Sequence, residues 1–102
     1  MRDSDVPYFM WDERLTCAEL KQQLRTAPTA RKVDLMAKIM RDANDQDVWE
    51  FMTPEDLAKF SGQIFPRLGW HKGFWVFLYN KWVEHGLLKA EPYTDQRPGR
   101  LS

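Results

Sequence analysis

One cysteine in 102 residues leaves no partner for an intramolecular disulfide, which excludes the stapled framework of small secreted domains. No stretch approaches the ~20 consecutive apolar residues that a membrane-crossing helix needs. Neither sign of charge is in excess: fifteen Lys and Arg cancel fifteen Asp and Glu. The signs also interleave, as in Arg31-Lys32-Val33-Asp34. A nucleic-acid binder usually carries a basic stripe that displaces counterions from phosphates. Here the largest basic bias, between Arg67 and Lys81, is modest. Glycine is scarce as well, with five residues. None forms a phosphate-cradling loop ahead of a helix, and Gly69-x-x-x-Gly73 falls in an aromatic stretch.

These gaps extend to the chemistry-bearing residues. His71 and His85 are separated by nearly four helical turns, roughly 21 Å at 1.5 Å per residue, too far to share a metal. His85 suits the negative end of a helix dipole. Cys17 lies on an apolar stripe with no His near it in sequence, so it reads as a small core residue. Asn44, Asp45 and Asp47 resemble a calcium loop only briefly. Counted from Asp45, Glu50 and Asp56 stand where the loop needs Gly and Glu. The sequence therefore predicts no catalytic residue, no cofactor and no metal ligand, and a chain that is not an enzyme. The polar, acidic start Met1-Arg2-Asp3-Ser4-Asp5 is unlike a secretory signal, and the expected location is cytoplasmic.

Aromatics are what the chain has in quantity: five Trp, six Phe and three Tyr. They bring large buried area, and interfaces favour them too. The fold expected is all-α, a bundle of four to five short helices over residues 1–90, followed by a flexible tail over 91–102. An extended aromatic segment over 1–15 precedes the helices, because Pro7 biases Val6 away from helix. Thr16 and Glu19 have capping-box spacing, with Leu15 and Leu20 as a hydrophobic staple. Leu35, Met36, Ile39, Met40 and Ala43 mark one face of a second helix over about 29–43. Asn44-Asp45-Gln46 turns into a short helix through Val48, Trp49 and Phe51. Thr53-Pro54-Glu55-Asp56 is a helix start, with Leu57, Phe60 and Ile64 facing inward. The last helix begins near Gly69-Trp70 and carries Phe74, Trp75, Leu78, Trp82 and Val83 inward. Gly86 caps it in the Schellman manner while Leu87 packs back. The alternating short helices also have a fold-level likeness to HEAT hairpins, without visible 40-residue self-similarity.

Tyr8, Phe9, Trp11 and Trp70 lie outside or at the ends of the amphipathic patterns, so they are candidate partner-binding residues. Asp12, Asp47 and Trp49 join them through three sequence blocks. The blocks read Pro7-Tyr8-Phe9-Met10-Trp11-Asp12; Met36 to Ala43 continuing to Asp47-Val48-Trp49-Glu50-Phe51-Met52-Thr53; and Phe65-Pro66-Arg67-Leu68 with the Trp-rich helix. Over residues 7–88 this pattern resembles a group of small prokaryotic proteins encoded beside nucleotidyltransferase toxins of the AbiEii type. The resemblance implies an antitoxin or accessory role: a protein partner bound directly and occluded, with Asp12 and Asp47 offered to basic groups at a nucleotide site. The alternative is a DNA-binding regulator using the Thr53–Gly62 helix and the basic Arg67–Lys72 region as a helix-turn-helix. Its weakness is the zero net charge.

Overall fold

The computed structural model describes residues 2–10 and 13–94. Five helices follow one another: α1 (Cys17–Thr26), α2 (Thr29–Asp42), α3 (Asp45–Phe51), α4 (Pro54–Ile64) and α5 (Lys72–Glu84). Two 3-10 turns, Phe65–Arg67 and Gly69–His71, lead from α4 into α5. The fold is all-α.

Local chemistry sets most helix ends. At α1 the Thr16 hydroxyl accepts from the Glu19 N–H, and the Glu19 carboxylate accepts from the Thr16 N–H at 2.8 Å. The other two free donors of that first turn find carbonyls in the N-terminal segment: Cys17 N–H bonds Asp5 at 2.8 Å and Ala18 N–H bonds Asp3 at 3.0 Å. No helix can satisfy these groups from within. The N-terminal residues thus complete α1. At α4, Thr53 and Asp56 form a second reciprocal box, with Pro54 at the first helical position. The helix kinks at Phe60, whose φ of −120° and ψ of 17° leave it half-buried. At α5, Gly86 takes a φ of 75°, its N–H bonds Val83, and the Leu87 N–H reaches Trp82. That is the expected Schellman cap. Leu87, however, does not pack back: it is 72% exposed, and Leu88 fills the core instead.

α2 is the axis of the fold, packed against α1, α3 and α4. A single buried stripe was expected on it. Instead every residue from Leu35 to Met40 is buried, Lys38 included. Lys38 keeps its ammonium 3.6 Å from Asp42 while its stem lies among apolar neighbours. Cys17 is fully buried, as expected, and burial pushes its thiol pKa up.

Two sequence expectations are corrected at the chain ends. The segment before α1 is folded into turns: Met10 N–H bonds Pro7 and Asp5 N–H bonds Arg2. It buries Phe9 and Met10 in the main core. At the other end, where a flexible tail was expected over 91–102, Tyr93 is held: it exchanges two bonds with the Asn80 amide, at 2.7 and 3.0 Å. Its ring stands edge-on to Phe65 at 4.6 Å.

Candidate functional site

α3 has a cap built from distant residues. Its N-cap, Asn44, makes no side-chain capping bond. The Tyr8 hydroxyl takes that place: it accepts from the Asn44 N–H at 2.7 Å and donates to the Asp47 carboxylate at 2.7 Å. In an ordinary capping box the third helical residue reaches the N-cap N–H directly. Here a phenol is inserted between them. On the other side of the same junction, the Trp75 indole N–H donates to the Met40 carbonyl at 3.1 Å. Met40 belongs to the last turn of α2, and the Asn44 N–H that would have answered it is spent on Tyr8. Two aromatic heads from opposite ends of the chain therefore satisfy the α2–α3 corner.

Burial raises the Tyr8 pKa, opposed by the Asn44 bond and reinforced by the negative charge of Asp47. The fold thus favours the protonated phenol. Its contribution is complete below the ordinary tyrosine pKa near 10 and is lost as pH climbs through the higher folded value. Tyr8→Phe is expected to lower stability by about 1–2 kcal/mol at neutral pH, two hydrogen bonds being removed at a partly exposed site. The same substitution should flatten the alkaline limb of stability against pH, measured by urea unfolding. An unchanged limb would mean that Tyr8 does not carry it.

Beyond this corner the aromatics form two groups. Trp49, half-buried on α3, stands edge-on to Trp75 at 5.8 Å and to Trp82 at 5.5 Å. With Met52, Thr53, Pro54, Trp82 and Leu87 it lines an apolar cleft of about 400 Å³ between α3 and the end of α5. The second group is Trp70, in the 3-10 turn before α5, with Phe74 and Phe77 on the outer side of α5; they are 92%, 51% and 61% exposed. Helical periodicity had put Phe74 inward. The helix in fact buries Trp75 and Tyr79, and Phe74 falls on the boundary, its ring against Trp75.

The predicted partner-binding residues therefore separate. Tyr8 and Asp47 are brought into direct contact, and Trp49 borders the cleft. Trp70 stands apart in solvent. Phe9 is corrected: at 2% exposure, with its ring edge-on to Tyr8 and Phe51, it is a core residue with no surface to offer. Trp11 and Asp12 lie outside the described residues. Phe74 and Phe77 were missed because the unbroken apolar run Phe74–Tyr79 hides which side of the helix faces water, and Leu87 because the cap motif was expected to fold it back onto the core.

Arg31, Arg41 and Arg67 are tied up locally. Arg31 forks onto the Glu13 carboxylate and bonds Gln23 at 2.9 Å, and Glu13 raises its pKa. Arg67 pairs with Asp34, and Arg41 donates to the Arg67 carbonyl at 3.1 Å. With Lys38 they line a polar cleft of about 250 Å³ whose walls carry both signs. Among the described residues no three His, Cys, Asp or Glu side chains gather as a metal site, and no helix is long and apolar enough to cross a membrane. No protein-family model, curated protein or solved structure matches the chain.

Proposed function

We propose that this chain is a non-catalytic protein-binding module that docks its partner in the α3–α5 cleft. The partner implied by the sequence blocks is a nucleotidyltransferase-type toxin, neutralised by direct binding and occlusion. One observation carries the reading: a cleft walled by two indoles and a proline, with Leu87 standing 72% exposed at its lip. Trp49 is braced by Trp75 on one side and Trp82 on the other, so an apolar side chain entering the cleft meets a surface already in place. Interface energy concentrates in such pre-formed aromatic pockets.

The test is co-purification of the chain with the product of the adjacent gene. Leu87→Glu should weaken the complex about tenfold or more, the cost of truncating an interface anchor of roughly 1–2 kcal/mol. The variant should stay folded, since Gly86 makes the turn and Leu88 fills the core. No complex with the wild-type chain, or one indifferent to Leu87→Glu, would remove this reading. A salt-dependent shift of duplex DNA by the chain alone would put the regulator in its place.

A further inference from the structure

We propose that the outer face of α5 pairs with the same face of a second copy of this chain, across a two-fold axis at Phe77. Phe74 and Phe77 lie three residues apart on the helix flank away from the buried Trp75 and Tyr79, and Trp70 stands exposed in the 3-10 turn just before the helix. Their fractional exposures leave roughly 450 Å² of ring surface in water, given about 200–250 Å² per aromatic side chain. That is about the size of the largest apolar patch on an ordinary monomer, a patch that is often functional. Two copies face to face would hide roughly 900 Å² of rings alone. That is the size of a weak, transient interface, below the ~1,200 Å² of stable ones, and fits association in the micromolar range.

Three features single out a second copy as the occupant. The first is charge. Lys81 and Glu84 share this flank, 3.4 Å apart, with Lys81 also 5.6 Å from the Phe77 ring centroid. A patch bearing both signs suits a partner that bears both signs, as a two-fold interface does by construction. An anionic membrane or an RNA strand would set like charge against Glu84. The second is register. Antiparallel pairing about Phe77 places Glu84 opposite Trp70 of the other copy, where the indole N–H can donate to the carboxylate. It places the Lys81 stem opposite Gly73. The third is Gly73 itself. Its φ is not positive, and a Cβ there would meet nothing within 4 Å. Nothing within one copy calls for glycine, whereas a second helix lying against α5 does, since a missing side chain lets helix axes close together. The chain's own residues 95–102, Asp-Gln-Arg-Pro-Gly-Arg-Leu-Ser, hold one large apolar side chain and are a poor cover for three rings.

Sedimentation equilibrium of the full chain through the micromolar range tests this. The wild-type chain should pass from monomer to dimer with concentration. Phe77→Glu, which sets two carboxylates on the axis, should remain monomeric throughout, with its helical circular dichroism and melting unchanged. Glu84→Lys should raise the dimer dissociation constant several-fold. Leu87→Glu should leave dimerisation untouched, which separates this face from the cleft. A wild-type chain that is monomeric throughout, or a dimer indifferent to Phe77→Glu, would overturn the proposal. So would binding of the monomer to phosphatidylserine vesicles or single-stranded RNA abolished by Trp70→Ala.

Discussion

Trp75→Ala is expected to lower stability by about 3–5 kcal/mol, the range for removing a large buried aromatic side chain. Its indole is 3% exposed and touches Trp49 and Phe74. It is also the partner of the Met40 carbonyl at the end of α2. Truncation opens a void and leaves that carbonyl without its donor. Folded domains hold only about 5–15 kcal/mol in reserve, so the variant should sit near the edge of folding. In a chain of this length the melting temperature should fall by roughly 15–30 °C. Trp75→Phe separates the two causes. It keeps a six-membered ring in the core but loses the N–H and the pyrrole atoms, so about 1–3 kcal/mol of the loss should remain, from the unanswered carbonyl and a smaller void. Equilibrium urea unfolding of both variants measures this. A Trp75→Phe variant as stable as wild type would show that the helix end finds another donor.

Phe9→Ala carries the next largest effect, about 3–4 kcal/mol on the same scale. The ring is 2% exposed, 5.3 Å from Tyr8 and 5.6 Å from Phe51, so it fastens the N-terminal segment over α3. A binding anchor would behave oppositely, costing affinity and leaving the melting curve in place. The variant protein should unfold early, and its remaining folded fraction should bind the partner as tightly as wild type. Normal melting with lost binding would return Phe9 to the surface.

The sequence was most informative where a few adjacent residues decide the outcome. The Thr16–Glu19 box, the Thr53-Pro54 start and the Gly86 cap all depend on groups within a turn of one another, and each stands where local spacing placed it. It was least informative where the answer depends on residues far apart. α5 carries Phe74, Trp75, Val76, Phe77, Leu78 and Tyr79 in succession, and no period distinguishes the flank that meets α2 and α3. Lys38 looked like a solvent residue because charge outweighs a four-carbon stem in any pattern of polar and apolar positions. Phe9 and Tyr8 are neighbours of similar type, yet one enters the core and the other bonds Asn44 and Asp47. Only the path of the chain separates them. Asp47 was singled out for its block and not for the phenol it receives.

The inserted phenol gives the molecule a built-in reporter. The Asn44 amide precedes α3, and its acceptor lies thirty-six residues earlier. Deuterium enters such a site only when that acceptor withdraws. Its protection factor therefore measures withdrawal of the Tyr8 hydroxyl from the corner, an opening smaller than loss of the whole fold. A single resolved amide would follow the Tyr8 hydroxyl leaving and returning while α2 and α4 stay closed.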